Sequence, residues 1–492
     1  MTITSQQDRA AGPARPDRMG RQQRLILAVL LTASFTLAVD FSILNVALPR
    51  IGADTGFSLG SLQWIATSFA LSAAGFTLFF GRLADLAGRR RVFLAGMAVL
   101  GIASLAGGLA GTPWVLLAAR VAQGLATAAV TPAALSLLTT SFPEGPVRDR
   151  ALGLNGALMA AGFTAGAVLG GVLTDLLSWR WAFFINVAVA AAVLAVSPVV
   201  LAESRPARRP RLDLPGAVLV TLGLLAVVFG LTEAGQRSWA SPLCYGAVLA
   251  GVVALAGFWA VERTAAQPLV PLAVLRRRTV AWGNSAGLVA FATETSVVFL
   301  LTLYLQQVRG YSPLQAGLSF AVLGAGTVLG GLLGPRLIGA IGSRSAVVLG
   351  LSVQAGATVP LVFLGPQAGW TTVLLAATFA GGVANLAAIV GFMVTATSGL
   401  PDAEQGLATG LATMSQQVGI TMGIPVMSAI VTARVHALGP ATAGHVLGGI
   451  STALAVNAGL AAATAIALAV TRGRAGVTSP APAAHSGSAT AG

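Results

Sequence analysis

Three side chains in this sequence sit where an apolar setting should not hold them without a purpose. Asp40 lies deep in the first long apolar run, within Val39 to Ile51, VDFSILNVALPRI. Glu294 lies inside the run 280–305, and Arg120 inside 114–140. A charged side chain at the centre of a bilayer costs roughly 3 kcal/mol, so such groups pair, relay protons or meet a substrate. Two carboxylates and one guanidinium are suited to proton chemistry. A carboxylate takes up and releases a proton, and a nearby arginine favours its charged form. Arg120, Gln123, Gly124, Thr127 and Thr131 recur at helical spacing in LLAARVAQGLATAAVTP, forming one polar stripe beside a kink point at Pro132. Asn45, Asn155, Asn284, Asn385 and Gln416 are further polar residues in apolar runs. With Gln123 and Glu294 they are the candidates to contact a substrate, and each either lines a cavity or bridges helices. Cys244 is the single cysteine, and His436, His445 and His485 are scattered, so no metal-ligand set is expected. No GxxxxGK[ST] loop occurs, so neither nucleotide nor any cofactor is expected.

The elements that position these residues follow from composition. The 492 residues are 55% hydrophobic and 9% charged, with mean hydropathy +0.83, whereas a soluble domain carries about 25% charged residues. Repeated apolar runs of about 20 residues indicate membrane spans, and backbone satisfaction in lipid makes them helices. The pattern predicts an all-α integral membrane protein with fourteen spans, from 25–49 and 60–80 through 280–305 to 447–471. The net charge of +14 could suggest nucleic acid, but the arginines are confined to short loops, so no nucleic-acid partner is expected. With the N-terminal tail cytoplasmic, most arginines fall in cytoplasmic segments. Arg50, Arg180, Arg237, Arg309 and Arg434 fall outside, and Arg120 within a span. That bias predicts both termini inside.

An internal repeat divides the chain. GRLADLAGRR at Gly81 to Arg90 matches PRLIGAIGSR at Pro335 to Arg344. The same offset pairs Gly56-Phe57-Ser58 with Gly310-Tyr311-Ser312, and Asp40 with Glu294. A parallel repeat places binding sites near the midplane between halves. The expected organisation is a cytoplasmic tail (1–24), a six-helix bundle (25–201), and an inserted helix pair with linkers (202–279). A second six-helix bundle (280–471) and a disordered cytoplasmic tail (472–492) complete it. In the loop from Gly81 to Arg91, Gly88 permits a positive φ and Asp85 can pair with Arg89 or Arg90. The loop serves either as a conformational latch or as a positively charged anchor. Gly162, Gly166 and Gly170 stand four apart, with Gly171 beside them, the spacing that lets membrane helices approach closely.

These motifs resemble the major facilitator superfamily. Gly81, Leu83, Asp85, Gly88, Arg89 and Arg90 match its signature loop, GxLaDrxGrr, and the stretch at Arg120 resembles its RxxqG motif. GFTAGAVLGG is similar to its antiporter motif, GxxxGPxxGG, with Ala167 at the proline position. VDFSILNVALPRI and LLSWRWAFFINV resemble the fourteen-helix drug:proton antiporter branch, with Ala188 replacing a usual proline in the latter. YLQQVRGYSPLQAGL and GLATGLATMSQQVGITMG resemble further segments of that branch. The resemblance implies proton-coupled efflux of amphipathic small molecules by alternating access, with Asp40, Arg120 and Glu294 as the coupling residues. It implies a monomeric, multi-pass protein of the cell membrane, in contact with lipid, a small-molecule substrate and protons, and not an enzyme. A uniporter or importer of a metabolite with the same fold is the alternative, and a membrane-embedded enzyme a remote one.

Overall fold

The computed structural model describes residues 19–57, 61–142, 146–203, 214–236, 241–265, 277–397, 402–440 and 442–471. The expected tails at 1–18 and 472–492 fall outside these residues, as do 204–213 and 266–276 in the linkers of the inserted segment. Among the described residues every regular element is helical. In chain order they are α1 (Arg21–Ile43), α2 (Leu48–Thr55), α3 (Gln63–Ala87), α4 (Arg89–Gly108), α5 (Pro113–Ser141), α6 (Pro146–Leu176), α7 (Trp181–Val200), α8 (Leu214–Gln236) and α9 (Pro242–Thr264). They continue as α10 (Arg278–Leu303, extended by a π turn, Tyr304–Val308), α11 (Pro313–Ile341), α12 (Ser343–Val362), α13 (Trp370–Thr397), α14 (Asp402–Leu438) and α15 (Ala443–Val470).

Among the described residues, 11 helices are long and apolar enough to cross a membrane, or up to 12 if the bent α3 is one span. α6 and α8 contribute shorter apolar stretches, Ala161–Leu176 and Pro215–Leu231. The burial pattern suits lipid as the solvent. Val199 is 86% exposed and Trp114 82%, while Arg120 is among the largest fully buried side chains.

Helix boundaries follow from particular residues. The first span was expected to run unbroken over 25–49, but α1 ends at Ile43 and a turn at 44–47 precedes α2. Pro49 accounts for the break. It has no N–H to donate back, and its ring clashes with the carbonyl four residues earlier, that of Asn45. Further on, prolines occupy the first helical turns of α5, α9 and α11, where a missing N–H costs nothing. At the start of α11, Ser312 and Gln315 form a reciprocal cap. Trp179, just before α7, is buried, and its indole donates to Asp54 Oδ2 at 2.9 Å.

α1 and α3 to α7 pack among themselves, as do α10 to α15. The two sets meet along α6–α11 and α3–α14. α8 and α9 pack on each other, and α8 lies against α3 and α14. Glu233 and Glu262, near the C-terminal ends of these two helices, are both buried. The backbone carries the repeat seen in sequence. Gly56 and Gly310 have φ of 86° and 67°, and Gly88 and Gly342 have 111° and 81°. Both pairs match at the offset that relates Asp40 to Glu294.

Candidate functional site

Asp40 and Arg120 form a direct pair, Arg120 Nη1 to Asp40 Oδ2 at 3.2 Å, with both side chains 1% exposed. α1 supplies the acid and α5 the base, and three neighbouring helices, α3, α4 and α7, complete the shell. Arg120 also donates through Nε to Ile65 O of α3 at 3.0 Å and through Nη1 to Gln123 Oε1 at 2.9 Å. Its guanidinium lies 4.2 Å from the centroid of the Phe69 ring. Gln123 Nε2 donates to Asp40 Oδ1 at 3.2 Å and to Ser104 Oγ of α4 at 2.8 Å. Asn186 of α7 donates to the same Asp40 oxygen. Both carboxylate oxygens are therefore occupied by donors. A buried pair with its remaining hydrogen-bonding capacity met is tolerated, whereas removing one partner costs about 3–5 kcal/mol. At Oδ2 a proton and the arginine are alternatives, so protonating Asp40 loosens its hold on α5.

The face of α1 next to Asp40 is also the one pressed by α6. A Cβ at Gly162 would sit 2.8 Å from that of Ala38, and one at Gly166 2.6 Å from Val39 O. A Cβ at Gly170 would overlap Ile43 O. Gly171 serves a different neighbour, since a Cβ there would lie 2.5 Å from Pro313 O of α11. The glycine cluster thus connects the helix bearing Asp40 to the opposite set.

Glu294 does not join this pair. It lines a small cavity among α10 to α13 with Gln354, Thr358, Thr378 and Asn385. Neither Asp40 nor Arg120 lines that cavity. The offset gave the right helix but not the contacts, because neutral residues occupy the second set's polar core. Gln354 Nε2 of α12 donates to Thr293 Oγ1 at 2.9 Å, and Asn385 Nδ2 of α13 to Ala290 O at 3.0 Å. Asn457 Nδ2 of α15 donates to Thr293 O at 3.0 Å and Ser296 Oγ at 2.9 Å. Ser104, Gln123 and Asn186 surround Asp40 from the corresponding helices of the first set.

The model of the Major Facilitator Superfamily matches residues 30–424. The chain belongs to that superfamily. As a facilitator it is a membrane transporter rather than an enzyme, a multi-pass protein of the cell membrane. Its sequence is 39% identical to the cephamycin export protein CmcT of Amycolatopsis lactamdurans, over 85% of this chain and 87% of that one. It is 35% identical to the puromycin resistance protein pur8 of Streptomyces alboniger, over 89% of each chain. The crystal structure of the human organic anion transporter MFSD10 (TETRAN) superposes with a TM-score of 0.60 at 16% identity. That match covers 92% of this chain and 100% of that chain, and supports the fold.

In the transporter's signature loop, Gly88 joins α3 to α4, and Asp85 Oδ1 accepts from Arg89 Nη2 at 2.9 Å. Arg90 donates from its backbone to Glu203 Oε1 at 3.1 Å and from Nη2 to Pro198 O at 2.7 Å. The loop's charges thus engage the end of α7. Of the other polar candidates, Asn284 Oδ1 accepts from Ser415 Oγ at 2.8 Å and bridges α10 to α14. Asn155 Nδ2 approaches Met159 Sδ at 3.8 Å on its own helix. Asn45 is buried in the turn before α2, and Gln416 is half-buried on α14. Sequence reasoning missed Ser104, Asn186, Glu203, Gln354 and Asn457. Asn186, Gln354 and Asn457 are each the only Asn or Gln in their helix, and that isolation in an apolar run was the usable signal.

Proposed function

We propose that this transporter exports amphipathic small molecules of the antibiotic class from the cell by proton antiport, with the Asp40–Arg120 pair as the coupling element. The buried pair carries the reading, and the named activities of the cephamycin and puromycin relatives support it. In this scheme the chain has fourteen spans and both termini are cytoplasmic. Bundles at 25–201 and 280–471 rock about the inserted pair at 202–279, in a monomer. A proton reaching Asp40 releases Arg120, relaxes α1 against α5, and shifts the α1–α6 packing at Gly162, Gly166 and Gly170. α6 transmits the shift to α11 through Gly171. Restoring the ion pair expels the proton on the other side. Contacts between the sets favour one closed end: Gln306 Nε2 donates to Val46 O at 2.7 Å, and Ser312 Oγ donates to Asp175 Oδ2 at 2.9 Å. In the scheme Asp85, Arg89 and Arg90 latch the end that carries Gly88.

The test is puromycin efflux from cells producing the protein, with and without a protonophore. Proton antiport predicts that the protonophore abolishes efflux and that Asp40→Asn does the same at normal protein levels. Efflux that persists without a proton gradient overturns the antiport.

A further inference from the structure

Arg120 is held by two helices besides its own. Its Nη1 reaches Asp40 Oδ2 of α1 at 3.2 Å. α3 supplies two further holds, one turn apart. Ile65 O accepts from Nε at 3.0 Å, and the centroid of the Phe69 ring lies 4.2 Å from the guanidinium carbon. That distance is well inside the ~6 Å reach of a cation–π contact, whose attraction grows when the pair is out of water. Phe69 and Arg120 are each 1% exposed. The ring is also kept in place. A Cβ at Gly124 of α5 would overlap Phe69 O, so α3 and α5 meet backbone to backbone at this level. Phe41 of α1, the residue after Asp40, packs on the same ring with centroids 6.0 Å apart.

A proton on Asp40 cancels the negative charge beside Arg120 and leaves both α3 holds intact. A guanidinium keeps its own proton in proteins, and a buried cation without its anion is costly. The carbonyl oxygen and the negative face of the ring are what remain to offset it, together with Gln123 Oε1 on α5 itself. We infer that Phe69 is a positioning residue, whose ring holds Arg120 on α3, with Ile65 O, when Asp40 is neutral. The arginine then passes from α1 to α3. That helix reaches beyond the first set. Ala70, the residue after Phe69, accepts through its carbonyl from Thr421 Oγ1 of α14 at 2.9 Å. Gly75 O accepts from Thr221 Oγ1 of α8 at 2.5 Å. A load on Phe69 is thus carried to the opposite set and to the inserted pair, a second route beside α6 and Gly171. That consequence rests on the antiport reading; the hold on Arg120 does not.

The experiment places mono-, di- and trifluorinated phenylalanine at position 69 of the full-length protein by nonsense suppression. Fluorine drains negative charge from the ring face and changes its size little. The series is made in the wild-type background and in Asp40→Asn, which stands for the protonated acid, and reversible unfolding in micelles is measured. Trifluorination should lower the folding equilibrium constant about tenfold in Asp40→Asn, and about threefold or less in wild type, where the anion still holds the cation. The milder rings should fall in order between, so the slope is readable even if the trifluorinated Asp40→Asn protein does not fold. Equal slopes in the two backgrounds overturn the inference. Adding Arg120→Gln to Asp40→Asn removes the cation, and fluorination should then have no effect; a penalty that survives there reports packing alone and overturns it as well. In vesicles, the maximum rate of puromycin-driven proton movement should fall stepwise with fluorine while the half-saturating puromycin concentration holds. A maximum rate indifferent to fluorine overturns the route through α3. A wild-type protein with no proton response counts against the export reading, and the unfolding slopes still decide the hold on Arg120.

Discussion

Replacing Asp40 by Asn keeps the side chain's shape and removes its charge, which isolates what the ion pair contributes. The structure makes this substitution expensive. Oδ2 faces Arg120, and Oδ1 faces the amide donors of Gln123 and Asn186. An asparagine has one oxygen for these two positions, so its amide nitrogen meets a donor whichever way it turns. Arg120 keeps Ile65 O, Gln123 Oε1 and the Phe69 ring but loses its anion at 1% exposure. Breaking a buried pair from one side costs about 3–5 kcal/mol, and the retained partners place this case at about 3 kcal/mol. The assay is a double-mutant cycle of Asp40→Asn, Arg120→Gln and both, read by reversible chemical unfolding of the purified protein in micelles. The double variant should recover much of the loss, giving a coupling of about 2–3 kcal/mol. Additivity within about 0.5 kcal/mol, the scatter seen for independent sites, would refute the reasoning.

Gly88→Ala is expected to lower stability by about 1–3 kcal/mol, because φ of 111° is a glycine conformation. The new Cβ would also lie 2.7 Å from Glu203 Cδ. Thermal unfolding reads the loss, and an unchanged midpoint would contradict it. Gly170→Ala and Gly171→Ala should behave differently although adjacent. The first crowds Ile43 O within one set and should lower the unfolding midpoint. The second crowds Pro313 O between sets and should raise the maleimide reactivity of a cysteine placed by Thr164→Cys, which abuts Gly324. Equal effects of both glycine variants on the two readouts would count against that assignment. Trp179→Phe removes the bond to Asp54 and should cost about 1 kcal/mol in the same unfolding assay.

Much of this architecture was legible from residue patterns, and the exceptions are instructive. The repeat was visible as matched loop residues. The structure repays it at Gly56, Gly88, Gly310 and Gly342, whose positive φ values fall on the matched positions. Asp40 and Arg120 were identifiable because charges in apolar runs are costly, and two such groups of opposite sign invite pairing. Equating Glu294 with Asp40 went too far, since a sequence offset reports position along a helix and not the direction a side chain faces. One residue of difference turns a side chain about 100° around a helix axis, and Thr293, not Glu294, meets Gln354 of α12. The break at 44–47 was hidden because Pro49 reads equally well as the end of a span. Asn186 was overlooked inside a quoted motif because a neutral amide carries no charge signal. Glu203 makes its contacts with the loop more than a hundred residues away in sequence, and no local pattern reports that.

The most direct test of the coupling claim is proton movement itself. Purified protein is reconstituted into vesicles loaded with a pH-sensitive dye, and puromycin is applied across a pH-neutral membrane. The wild-type protein should move protons in response to puromycin, and Asp40→Asn, checked to be folded, should move none. A folded Asp40→Asn protein that still drives the full proton response would contradict the assignment of Asp40 and Arg120 as the coupling pair.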